Sequence, residues 1–143
     1  MILVDTSAWV EFDRATASRV DNRLTELIAT TDDVAVSEPI IMEVLAGARD
    51  DHREKDLRRL MDRFTLLRFD APVDFDGATR IYRTCRRSGV TPRGMVDCMI
   101  AAVALRSGAS LLTTDSHLER VARVMRIELD TAWTPGTDQP GRA

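Results

Sequence analysis

The chain has 143 residues, 44% hydrophobic and 30% charged, with a formal net charge of −3; this fits one soluble domain around one core and argues against a disordered chain. So small a net charge does not by itself predict a polyanion partner. The arginine bias (Lys55 is the only lysine) reflects a GC-rich genome as readily as phosphate binding.

Ile2-Leu3-Val4 is a short apolar run stopped by Asp5, which reads as a buried strand. Residues 16–30 carry Val20, Leu24, Leu27 and Ile28 at helical spacing, with Thr16 or Ser18 as cap. Val34 to Val36 reads as a strand. A helix follows, with Ser37 as N-cap, Pro39 in its first turn and Ala46 near its end. Residues 51–64 form a charged helix with an inward stripe of Leu57, Leu60, Met61 and Phe64, and Thr65 to Phe69 is expected to be a strand. Helices over 73–88 and 94–107 end at Gly89 and Gly108. Ser110 to Thr113, residues 116–125 and Ile127 to Leu129 then read as strand, helix and strand. Short apolar strands alternating with helices predict an α/β fold, a mostly parallel sheet covered by helices on both faces. The expected division is one domain over residues 1–133 and a Pro/Gly-rich flexible tail over 134–143. Cys85 and Cys98 lack paired spacing and are expected to be core thiols. No run reaches the roughly 18 apolar residues of a membrane span, and Met1 to Asp5 has no basic leader; the expectation is a cytoplasmic protein.

Four acids stand in unexpectedly apolar sequence. Asp5 ends Ile2-Leu3-Val4; Glu43 is the only charge from Ile40 to Ala46; Asp97 is the only charge from Gly94 to Leu105; Asp115 follows Leu111-Leu112-Thr113-Thr114. The remaining acids sit among polar residues, where a solvated surface explains them. A carboxylate partly buried without a partner must be protonated, paired or metal-bound. Strand ends in a parallel sheet converge on one edge, which would gather Asp5 and Asp115. Asp97, in the first turn of its helix, and Glu43, one turn into its own, can reach the same edge. Hard oxygen donors of this kind select Mg²⁺ or Mn²⁺, ions suited to phosphodiester cleavage. Each acid also has a structural alternative: Asp5, Asp97 and Asp115 as helix caps, Glu43 as the partner of Arg80 or Arg83.

At these residues the chain resembles the PIN-domain nucleases, in particular VapC-type toxins of bacterial toxin–antitoxin pairs, over residues 1 to about 130. Ile2-Leu3-Val4-Asp5-Thr6-Ser7 looks like the family's opening strand and first aspartate. Met42-Glu43-Val44-Leu45-Ala46-Gly47 is similar to its helical glutamate segment, Met95 to Ala101 to the helix of its third acid, and Leu111 to Asp115 to the strand that delivers its fourth. The resemblance implies a three-layer α/β/α domain and a Mg²⁺- or Mn²⁺-dependent endoribonuclease acting through Asp5, Glu43, Asp97 and Asp115. It further implies a homodimer, a VapB-type antitoxin, and Ser7 and Thr113 as hydroxyls orienting carboxylates or a metal-bound water. His117 stands where many relatives carry another acid. It is either a surface residue or a metal or phosphate contact. Arg86, Arg87 and Arg93 precede the Asp97 helix and are candidate RNA contacts, or simply solvated.

A receiver-like phosphoacceptor wants adjacent acids at the first strand and a late lysine, whereas Thr-Ser follows Asp5 and Lys55 lies in a charged helix. A dehalogenase-like phosphatase wants Asp-x-Asp, which Asp5-Thr6-Ser7 is not. A catalytically weak PIN-like module that only binds RNA or a partner is the remaining alternative.

Overall fold

A computed structural model describes residues 1–131; the expected tail over 134–143 lies outside the described residues. In chain order the elements are β1 (Ile2–Val4), α1 (Thr6–Asp13), α2 (Arg19–Thr30), β2 (Val34–Val36), α3 (Glu38–Ala46), α4 (Asp51–Met61), β3 (Thr65–Leu66), α5 (Ala71–Arg87), α6 (Met95–Ser107), β4 (Ser110–Leu112) and α7 (Ser116–Met125). The strands form one sheet in the order β3-β2-β1-β4, with every pair parallel. The registers set Leu3 beside Ala35 and Leu111, so side chains of the central strands share one buried layer.

This order contains a reversal. From β1 the chain steps outward to β2 and β3, then returns past β1 to lay β4 on the other side. Right-handed crossovers therefore put the helices following β1 and β2 on one face and those following β3 on the other. Helix packing agrees: α1 packs on α2 and α3, and α3 on α4, while α5, α6 and α7 pack on one another. The reversal leaves a crevice between the C-terminal ends of β1 and β4, the place where parallel α/β sheets bind ligands.

Three sequence expectations change. Helix α1 was not anticipated. Asp5 supplies its cap, Trp9 buries against Phe12 and Phe64, and the Trp9 indole N–H donates to the Val4 carbonyl at 3.1 Å. The strand expected over Thr65–Phe69 is only Thr65–Leu66. Past Leu67 the backbone leaves the sheet for side chains, the Phe69 amide donating to Glu38 and the Arg68 carbonyl accepting from Arg106. The strand expected at Ile127–Leu129 reduces to a single parallel bridge between Leu111 and Leu129.

Candidate active site

Asp5 leaves β1 as the N-cap of α1. Its Oδ2 accepts from the Ser7 amide at 3.2 Å, the Ser7 hydroxyl at 2.7 Å and the Thr113 hydroxyl at 3.0 Å. The same hydroxyls accept from the far strand: the Thr114 amide donates to Ser7 and the Asp115 amide to Thr113, both at 3.0 Å. A hydroxyl has one proton, so each of these donates to Asp5 and accepts from the chain after β4. Ser7 and Thr113 thereby lock the two strand ends together beneath Asp5. Burial pushes the Asp5 carboxyl above its ordinary value despite these donors.

Asp115 is the N-cap of α7, accepting from the His117 amide at 2.8 Å. Asp5 and Asp115 therefore do cap helices, and both also line the crevice. A capping carboxylate at a strand end can serve both purposes. Glu43 projects from α3 and accepts from the Thr6 hydroxyl at 2.8 Å, not from Arg80 or Arg83. Desolvation, then the charges of Asp5 and Asp115, raises its pKa.

Asp97 lies in the first turn of α6, behind the N-cap Gly94. It caps nothing: its Oδ2 is buried and has no hydrogen-bond partner. Burial first, then the negative charges of Asp115, Asp5 and Glu43, pushes its pKa up to about 6 from 3.8, with Arg93 alone opposing. These four acids, with Thr6, Ser7 and Arg93, line a crevice of about 450 Å³. A larger cleft of about 690 Å³ between α1, α3 and α4 shares Glu43 with it.

The donor set suits a hard cation. It consists of carboxylate oxygens, one of them orphaned, and burial raises the proton affinity of Asp5, Glu43 and Asp97. As they stand, no three His, Cys, Asp or Glu side chains among the described residues are arranged to hold one ion. Asp5 and Glu43 are engaged by hydroxyls, and Asp115 by Arg93 at 3.0 Å. Of the four, only Asp97 has a buried oxygen with no partner.

A family model described as the PIN domain matches residues 2–124. The chain belongs to the PIN-domain family. Among curated PIN-domain relatives it is similar to Ribonuclease VapC11 of Mycobacterium tuberculosis, 43% identical over 132 residues that cover 90% of this chain and 96% of that one. Ribonuclease VapC32 of the same organism is 35% identical, covering 83% and 88%. Among solved structures, VapBC2 from Rickettsia felis bound to a promoter DNA fragment matches with a TM-score of 0.72, 19% identity and coverage of 91% and 98%. That last likeness establishes the PIN fold, the three-layer α/β/α arrangement read from the sequence.

Of the residues singled out from sequence, Asp5, Ser7, Glu43, Asp97, Asp115, Thr113 and Arg93 come together at this PIN-domain crevice. Arg93 pairs with Asp115, and the His117 ring stands beside both, its Nδ1 at 3.1 Å from Arg93 and 3.6 Å from Asp115. Arg86 and Arg87 sit apart at the exposed end of α5, contacting Tyr82 and the Arg83 carbonyl. Thr6 was missed. Its signal was a hydroxyl next to the first acid, within Asp5-Thr6-Ser7.

Proposed function

We propose that the chain is a VapC-type endoribonuclease, the toxin of a toxin–antitoxin pair, cleaving RNA phosphodiester bonds at the crevice with Mg²⁺ or Mn²⁺. The observation that carries this reading is Asp97, a carboxylate set among three others at the sheet's reversal with one buried oxygen left unpartnered. The identity to Ribonuclease VapC11 supports the same activity. Residues 1–133 are read as one nuclease domain.

Asp5, Glu43, Asp97 and Asp115 would hold the metal, and Thr6, Ser7 and Thr113 orient the carboxylates they bond. When bound, the ion supplies Lewis acidity and lowers the pKa of the attacking water. The chain's own part is to fix four oxygens around the cleavable phosphate and to keep basic groups at the rim. Arg93 stands at that rim, with Arg86 and Arg87 farther out, and all three are read as phosphate contacts. His117 neighbours Arg93 and is read as a phosphate contact through it. Among the described residues no aromatic side chain lines the crevice, which favours recognition of backbone and shape over base stacking.

Solved neighbours described as VapBC and toxin–antitoxin complexes support inhibition by a VapB-type antitoxin. A homodimer and a cytoplasmic site of action complete the proposal. No helix among the described residues is long and apolar enough to cross a membrane. The test is to induce wild type and Asp97→Asn separately in cells and map new RNA ends. Discrete cleavage sites with wild type alone support the reading; identical RNA profiles, or an equally active variant, overturn it.

A further inference from the structure

The crevice carries a cation of its own. Among the described residues Arg93 is the only basic side chain that lines it, and it lies immediately before Gly94, the N-cap of α6. Its Nη1 stands 3.0 Å from Asp115 Oδ2 and its Nη2 3.2 Å from Oδ1, a two-pronged grip on one carboxylate. Nη2 also stands 3.1 Å from His117 Nδ1. Yet the side chain is 60% exposed. Asp115 and His117 hold it in place, with little packing around it, and swinging into water requires no rearrangement of the core.

We propose that Arg93 is the resident counter-cation of the crevice: it occupies Asp115 until a divalent ion enters, and must release that carboxylate when one does. This rests on the reading of the site as metal-dependent. Both oxygens of Asp115 are engaged, Oδ1 by the His117 and Leu118 amides and Arg93, Oδ2 by Arg93. An ion bound by Asp115 would lie beside a like charge, so the two cations compete. Once released, the Arg93 fork lies at the rim, where it can meet the phosphate of the substrate. Arg93 is thus a positioning residue with opposite effects on the two steps, weakening metal entry and assisting the loaded enzyme.

The test is a calorimetric Mn²⁺ titration of the full-length protein and its Arg93→Ala, Arg93→Lys and His117→Ala variants. The Arg93→Ala variant is expected to bind Mn²⁺ roughly three- to tenfold more tightly at low salt, the scale of a well-formed but exposed ion pair. In about 1 M salt the difference should shrink, because screening weakens the competitor. Arg93→Lys, which keeps the charge but loses the fork, should fall between. His117→Ala, which removes the second anchor without touching an acid, should tighten binding slightly. At saturating Mn²⁺ the Arg93→Ala variant should nonetheless cleave RNA more slowly. Equal or weaker Mn²⁺ binding by Arg93→Ala than by a wild type that does bind overturns the counter-cation and leaves the metal-dependent nuclease standing. If neither protein binds Mn²⁺, the metal-dependent reading falls, and this inference with it.

Discussion

Asp74 on α5 and Asp97 on α6 are carboxylates on helices packed against each other, and both are drawn out of bulk water. Asp74, 1% exposed, is answered on every side. Arg106 donates to both its oxygens at 2.8 Å and the Asp70 amide adds a bond at 2.7 Å. Its pKa consequently falls below the ordinary carboxylate value, with Arg106 as the main cause. Asp97 has an oxygen with no partner and three acids for neighbours, and its pKa rises to about 6. The first acid stabilises the folded chain. The second destabilises it and is retained at the one edge where the sheet offers a ligand site. A buried acid with its counter-charge supplied by the fold is structural, and one whose counter-charge is missing awaits a cation from outside.

Neutralising each acid in turn separates the two roles. Asp97→Asn should lower RNA cleavage on the order of a thousandfold, about 4 kcal/mol of transition-state stabilisation, and single-turnover assays at saturating Mn²⁺ measure it. Asp74→Asn should leave cleavage per folded molecule near wild type. Arg106→Ala, which strands Asp74 in the core, should destabilise the fold by about 3 kcal/mol in urea unfolding. Ser7→Ala should weaken Mn²⁺ affinity or cleavage about tenfold, because it frees Asp5 without removing it. Comparable affinity and rate in that variant would mean that Thr113 suffices to orient Asp5.

Much of this arrangement was readable in the chain. Asp5, Glu43, Asp97 and Asp115 each stand alone in apolar sequence, and strand ends in a parallel sheet meet. The parallel α/β plan followed from the alternation of short apolar runs with amphipathic helices, although the fifth expected strand is a single bridge. Asp74 was not legible. It sits near Asp70 and Asp76 in what reads as an exposed helix start, and its burial depends on Arg106, 32 residues later. Likewise α1 was hidden, because its cap is the carboxylate at the end of β1 and its buried face is only Ala8 and Trp9, with Phe12 beside them. The grip of Arg93 on Asp115 spans 22 residues and is set by the loop before α6, which local patterning does not encode. Pairings across the fold are tertiary facts, whereas an isolated charge in an apolar run is a local one.

Asp97 is held ionised against its surroundings, and metal-free thermal unfolding across pH measures the cost. An acid whose folded pKa is raised favours the fold while protonated, below its unfolded value near 3.8, and loses that contribution as pH rises through about 6. Asp74, with its lowered pKa, has the opposite sign: its contribution is present above the unfolded value and is lost as pH falls. The melting temperature of Asp97→Asn should therefore match wild type near pH 4, rise above it between pH 4 and 6, and stay higher at pH 7 by the equivalent of about 1 kcal/mol, the share left after solvent screening of a half-buried group. An Asp97→Asn protein that melts at or below wild type at pH 7 would instead make Asp97 a satisfied structural acid like Asp74.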